Sequence, residues 1–337
     1  MEVKLEPLLD TLRIVDIDDK EYFGPAYTNY VSNSRMKLIN PDEGGSYELY
    51  KRGFSGNSYS ESLRLGTFVH SEILSPNEFD IIQSTRPNSK LGFVLDVIYN
   101  LRRQNIPIWK CILLASDRVD YYKGKLTKSI IRKIIIEGLA YYMQRLHETS
   151  DKVCLYGNKT FLEKHKKCVS ALKSNPEIAN LLNPSYLIEK PLISNEQTIL
   201  LDVKATYLGK STILKLKAKL DNFTYNSETG ELILNDLKTT GKPVNYFDNS
   251  FRHFVYYRQA AFYSWLLRLV FQNVYKLSYT KFNVNFLVVS TSDYSTLVRK
   301  VHQAEIDEGW YLMVKLMKMI AIYQLNEYDI SKYEYEL

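Results

Sequence analysis

Apolar and polar residues alternate along Thr212-Ile-Leu-Lys-Leu-Lys-Ala-Lys-Leu-Asp221, the pattern of a strand with one buried face. The cluster Asn226-Ser-Glu-Thr-Gly230 reads as a turn, and Glu231 to Lys238 as the returning strand of a hairpin. A further strand is predicted over Phe282–Ser290, so the sheet spans about 185–240 plus this segment. Helical periodicity predicts helices at 29–40, 60–75 and 254–272. A Gly/Ser/Asn-rich loop at 43–60 separates the first two. The stretch 90–185 reads as helical and rich in Lys and Arg. Within it Thr127 caps a helix running to about Glu148, with Ile130, Ile134, Leu139 and Met143 turned inward. Phe161–Leu172 is another helix, with Lys164, Lys166 and Lys167 on a solvated face that could also guide a phosphate backbone. The last helix places Ile306, Trp310, Met313, Met317 and Ile320 on one packing stripe. Residues 1–28 are polar and read as an N-terminal arm. The pattern predicts an α/β domain over 29–337, a central mixed sheet flanked by helices, with a helical basic insertion at about 86–180.

The hairpin carries the candidate chemistry. Asp221 ends its first strand, and Asp236 lies on the second with Lys238 two residues on. Asp236 and Lys238 therefore share a face while Leu237 points to the core. Two carboxylates on neighbouring strands form a hard-oxygen site suited to Mg²⁺ or Mn²⁺. Such an ion polarises a phosphodiester and lowers the pKa of a bound water. Lys238 would orient that water or offset charge in the transition state. An Asp-x-Lys triplet on a strand is more often a pair of solvated surface charges, so the reading depends on its companions.

The first companion is Gly66-Thr67-Phe-Val-His70-Ser-Glu72-Ile-Leu74-Ser-Pro76-Asn-Glu78-Phe79, and the second is Gln259-Ala-Ala-Phe-Tyr263. With Asp221, Asp236 and Lys238 between them, this ordered set resembles the RecB/RecE branch of the PD-(D/E)xK nucleases, over about residues 30–325. Val31-Ser-Asn-Ser-Arg-Met-Lys-Leu-Ile-Asn is similar to the opening helix of RecE-like exonucleases. The resemblance implies a restriction-endonuclease-like core. It implies a metal site of His70, Asp221, Asp236 and the backbone carbonyl of Leu237, and a positioning role for Gln259. Tyr186-Leu-Ile-Glu189 reads as a strand, and relatives often carry a metal-proximal Glu there. Glu189 is accordingly either a further ligand or an exposed strand acid. Tyr263, Lys217, Lys219, Thr239, Thr240 and Arg258 are the candidate DNA contacts. Relatives often have Arg where Lys219 stands, and the span Arg86–Lys173 matches no part of the family pattern. The resemblance implies Mg²⁺- or Mn²⁺-dependent cleavage of duplex DNA ends in recombination or repair, and a phage context. The implied partner besides DNA is a single-strand annealing or recombination protein. A catalytically silent DNA-binding or assembly module, or an RNA-directed nuclease, are the alternatives.

Composition narrows this a little. The chain has 337 residues, 45% hydrophobic, with net charge +6, which permits nucleic acid without demanding it. Its 27 tyrosines supply surfaces that can stack on bases. Cys111, Cys154 and Cys168 suggest structural thiols in a reducing compartment. No cysteine follows the Gln motif, so no iron–sulfur cluster is expected. No Walker loop is present, so ATP is not expected. The N-terminus shows no signal peptide and no apolar run reaches the roughly 20 residues of a membrane span, so a cytoplasmic protein is expected. Of the other histidines, His147 and His165 read as exposed on basic helices, and His253 as structural. Glu72 lies two residues from His70 and does not share its helical face.

Overall fold

The computed structural model describes residues 2–53, 60–147, 150–183 and 192–326. The chain opens with β1 (Lys4–Val15), then short helices α1 (Asp19–Tyr22), α2 (Asn33–Lys37) and α3 (Tyr47–Arg52), and the longer α4 (Glu61–Leu74). Next come β2 (Phe79–Gln83), α5 (Lys90–Arg102), α6 (Ile108–Arg118), α7 (Lys128–Leu146) and β3 (Val153–Gly157). After α8 (Lys159–Ser174) and α9 (Pro176–Leu182) the sheet strands follow: β4 (Leu192–Tyr207), β5 (Lys210–Asn226) and β6 (Glu231–Thr240). The chain continues through α10 (Phe247–His253), α11 (Tyr256–Val270), β7 (Lys281–Ser290), β8 (Thr296–Lys300) and α12 (Gln303–Asn326).

The main sheet has the order β1-β4-β5-β6-β7-β8, antiparallel throughout except for the parallel β6–β7 pair. The alternation along β5 puts Leu214, Leu216, Ala218 and Leu220 on one face. There they join Leu232, Leu234, Phe286 and Val288 beneath Phe262 and Leu266 of α11 and Met313 and Ile320 of α12. On the opposite face Leu237, Leu287 and Val289 pack against Val69 and Leu74 of α4 and Cys168 and Leu172 of α8. Each such fully buried aliphatic or aromatic side chain contributes about 1.5–3 kcal/mol of transfer free energy, so the sheet is clamped from both sides. The architecture is the expected one, a mixed sheet with helices on both faces and a largely helical insertion.

That insertion has its own core, with Val94, Leu95 and Ile98 packed among Cys111, Ala115, Ile134 and Tyr141. α7 lies so close to α5 that a Cβ at Gly138 would come within 2.3 Å of Leu95 Cδ2. The buried Arg86 guanidinium ties the lobe to α4, bonding Asp96 at 2.9 Å and Glu61 at 3.0 Å.

Several elements differ from the sequence reading. Residues 4–15 form not an arm but the edge strand β1, paired with β4. The helix expected at 29–40 is confined to Asn33–Lys37. The expected loop at 43–60 contains α3, whose N-cap Ser46 accepts from the Leu49 N–H. β3 inside the insertion, its parallel partner β2 just before it, and β8 at the sheet edge were not expected. Thr127 does cap α7, but Leu139 is 56% exposed and Met143 is exposed too. Gly138 and Tyr141 take the inward places beside Ile134. Trp310 leaves the buried stripe of α12 at 41% exposure. Among the described residues no helix is long and apolar enough to cross a membrane.

Candidate metal centre

The site forms where two strands part. β5 and β6 pair from Asn226–Glu231 to Asn222–Asn235, and the ladder stops there. Beyond the fork, Val31 takes the free side of β5: its N–H donates to the Lys215 carbonyl and its carbonyl accepts from the Lys217 N–H. Asp221 and Asp236 are the first residues past the last paired rung. Asp221 Oδ2 spans the gap by accepting from the Leu237 N–H at 2.8 Å.

On the other side of β5, the pairs Asn195–Asn222 and Gln197–Leu220 flank Glu196 and set it opposite Asp221. Glu196 adopts φ +53°, a left-handed conformation seldom taken by residues with a side chain. Over the fork lies α4. Gly66 permits the approach, since a Cβ there would sit 3.1 Å from Thr239 Oγ1. One turn further along, His70 presents Nδ1 at 3.6 Å from Asp221 Oδ2. His70, Glu196 and Asp221 can each offer a ligand atom, all within 4.8 Å of one another.

Asp236 borders this trio without joining its tight cluster. Its Oδ2 accepts from Gln259 Nε2 at 2.6 Å, and its Oδ1 faces the Lys238 ammonium. The Lys238 ammonium also lies 5.4 Å from the centre of the Tyr256 ring. Tyr263, one turn after Gln259, hydrogen-bonds to it, and burial keeps its phenol protonated.

The electrostatics are those of crowded acids. Burial pushes the Asp236 carboxyl up to about 6, with Lys238 opposing and Asp221 assisting the rise. Asp221 is raised by burial against the pull of Lys238 and the Leu237 N–H. Glu196 is raised by burial and by Asp221 against the pull of Lys219. Burial and the Lys238 charge lower His70, favouring the neutral imidazole that can ligate. Lys238 stays protonated because Asp236 and Asp221 outweigh its own burial. A trio of His70, Glu196 and Asp221 with Asp236 at its border, countered by the Lys238 and Lys219 ammoniums, fits a hard divalent cation.

The structure sorts the other sequence candidates. Gln259 turns to the site and Ala261 is buried in the core, while the half-buried Trp265 packs edge-on against Trp310 at 5.5 Å. Glu189 lies outside the described residues. Lys217, expected to contact DNA, is 6% exposed. It donates to the Tyr22 carbonyl at 2.6 Å under the Tyr22 ring, and burial with Arg35 nearby lowers it to about 8. Arg258, also expected at DNA, is 1% exposed and locked onto Asn33 and Glu43. Lys219 is bound to Asp19 at 2.7 Å and Glu196 at 2.5 Å, so it serves the acid cluster. Thr239 lies under Gly66, and Thr240 Oγ1 accepts from the Lys242 N–H. His165 is buried, not exposed, with Nε2 3.2 Å from Glu72, which faces away from the site. His147 and His253 are exposed.

Glu196 and Asp19 are the site residues that sequence reasoning missed. A signal for Glu196 was present: Ser194-Asn195-Glu196-Gln197 is a polar run inside an otherwise apolar strand.

No known protein family and no curated protein matches the chain. Among solved structures it is similar to a "putative exonuclease" from Eubacterium rectale at 12% identity and TM-score 0.44, over 91% of this chain and 86% of that one. It is also similar to SSO0001 at 13% identity and TM-score 0.25, over 75% of this chain and 84% of that one.

Proposed function

We propose that this protein is a metal-dependent nuclease that hydrolyses phosphodiester bonds in DNA. The observation that carries the reading is the convergence of His70, Glu196 and Asp221 within 4.8 Å, beside Asp236 paired to Lys238. His70, Glu196, Asp221, Asp236 and the Leu237 carbonyl would hold a Mg²⁺ or Mn²⁺ ion. When bound, that ion supplies polarisation of the phosphoryl group and a lowered pKa for its water.

The chain's own groups do the rest. Lys238 keeps its proton and so donates to the attacking water or to a phosphoryl oxygen, where negative charge grows in the transition state. Gln259 fixes the Asp236 carboxylate through Oδ2, leaving Oδ1 turned to Lys238. Tyr263 holds Gln259 and offers a phenol to a phosphate or a ring to a base. The ordered motifs, similar to RecB/RecE nucleases, favour duplex DNA ends as substrate and an annealing protein as partner in recombination.

The test is incubation with linear and circular duplex DNA, and with RNA, in Mg²⁺, Mn²⁺ or EDTA. EDTA-sensitive cutting of linear DNA alone is expected, and makes the protein an exonuclease. Cutting of circles makes it an endonuclease, and preferred cutting of RNA moves the substrate. Tight DNA binding with no cutting under either metal overturns the catalytic reading.

A further inference from the structure

Four asparagines occupy one transverse row of the sheet. Asn195 of β4 pairs with Asn222 of β5, Asn222 with Asn235 of β6, and Asn235 with Asn285 of β7. Their side chains link head to tail. Asn285 Nδ2 donates to Asn235 Oδ1 at 3.1 Å, Asn235 Nδ2 to Asn222 Oδ1 at 2.8 Å, and Asn222 Nδ2 to Asn195 Oδ1 at 2.8 Å. Asn195 Nδ2 ends the chain on the carbonyl of Leu74 at 2.9 Å. Asn235 Nδ2 also donates to the Leu181 carbonyl at 3.1 Å. Asn222 is fully buried, and Asn235 and Asn285 nearly so.

Buried amides are costly unless every group is paired, and apolar residues of similar size would fill a sheet interior at least as stably. What an amide row supplies and an apolar row does not is register. A one-residue slip between any two strands breaks the row and turns every side chain over. The row lies one residue from the acids on every strand that carries one: Asn195 precedes Glu196, Asn222 follows Asp221, and Asn235 precedes Asp236. Its far end holds Leu74, the last residue of the helix that carries His70, at a helix terminus whose carbonyls lack intrahelical partners.

We infer that Asn195, Asn222, Asn235 and Asn285 are positioning residues that fix the strand register and the seat of α4, so that His70, Glu196, Asp221 and Asp236 meet at one point. The inference rests on the metal-nuclease reading. It assigns the row to metal affinity and rate, not to overall stability. Outer partners that orient ligands contribute about 10- to 100-fold to metal affinity.

The experiment uses the full chain with Asn195→Ala, the exposed end of the row, where truncation disturbs packing least. Asn283→Ala serves as the comparison, because Asn283 lies on β7 off the row and bonds Glu231 at 2.6 Å. Mn²⁺ is titrated by calorimetry, melting is followed by circular dichroism, and kcat and KM are measured on linear duplex DNA. Asn195→Ala should weaken Mn²⁺ binding about tenfold and lower kcat, with KM for DNA close to the unsubstituted chain and only a modest drop in melting temperature, because Asn222 Nδ2 loses one partner. Asn283→Ala should leave Mn²⁺ affinity and kcat unchanged. Asn222→Asp, which puts an acceptor where the row needs a donor, should weaken Mn²⁺ further in any folded preparation. Undiminished Mn²⁺ affinity in Asn195→Ala overturns the inference alone, as does equal loss in Asn283→Ala. If the unsubstituted chain neither binds Mn²⁺ nor cuts DNA, the metal-nuclease reading falls first and takes this one with it.

Discussion

Replacing Gln259 by alanine removes one hydrogen bond from a carboxylate that has little access to water. Gln259 Nε2 donates to Asp236 Oδ2 at 2.6 Å, and Asp236 is nearly fully buried. A hydrogen bond to a charged partner contributes about 1.5–3 kcal/mol. If that energy is realised when the carboxylate must stay ionised and aimed, the rate falls about 10- to 150-fold, at 1.36 kcal/mol per decade. Lys238 still faces Oδ1, and the His70–Glu196–Asp221 trio does not include Gln259, so metal affinity should change far less than kcat. The assay pairs single-turnover cleavage of an end-labelled duplex with Mn²⁺ calorimetry on the same preparation. Equal collapse of rate and metal binding would make Gln259 part of the ion's own shell. An unchanged rate would reduce α11 to scaffold and refute the positioning argument.

Glu196→Ala should lower Mn²⁺ affinity by more than about tenfold and abolish cleavage, read by calorimetry and gel assay, because the proposed site counts its carboxylate among the oxygens that would hold the ion. Lys238→Met should cost about 10²–10³ in kcat while circular dichroism stays native, since the ammonium acts on transition-state charge. Arg258→Ala leaves Glu43 buried without its cation and should cost about 3–5 kcal/mol in urea denaturation. A folded Arg258→Ala protein that has merely lost DNA affinity would restore it as a DNA contact. Lys217 gives a pH test. Its ammonium is lowered to about 8 when folded, against about 10.4 in an unfolded chain. Between these values the folded state binds fewer protons, so stability rises with pH, and the burial cost is fully present below about 8. The stability of the natural chain relative to Lys217→Met should therefore climb between pH 8 and 10. A pH-independent difference would show an ordinary lysine.

The hairpin, Asp221, Asp236 and Lys238 were legible from local periodicity and short spacing, whereas His70 and Gln259 were picked out only by motifs that resemble those of the RecB/RecE nucleases. What was not legible depends on partners far along the chain. Lys217 and Arg258 look like phosphate contacts until Tyr22 and Glu43 are known to cover them, 195 and 215 residues away. His165 looks exposed among lysines until Phe68 and Glu72 are packed onto it. Glu196 was hidden for a different reason. Its polar neighbours break the alternation of the strand, and the positive φ of Glu196, set opposite Asp221, leaves no periodic trace. The inner face of α7 was misassigned because the helix carries apolar residues on both sides. Only the close seat against Leu95 selects Gly138 and Tyr141 over Leu139 and Met143.

The path of β1 and of the short helices after it bears on when, during synthesis, the acid cluster can assemble. A chain is made from its N-terminus, yet Asp19 and Tyr22 find Lys219 and Lys217 only some two hundred residues later, and β1 waits equally long for β4. His70 meets Asp221 at similar remove, and Gln259 is later still. Loop-closure entropy makes such distant pairings slow and late. The insertion has a core drawn from near neighbours in sequence, whereas the acid cluster needs residues from His70 to Lys238 in place together. On the proposed function, a growing chain that stops before Lys238 lacks part of the site, so activity would begin only once most of the sheet has been made and paired.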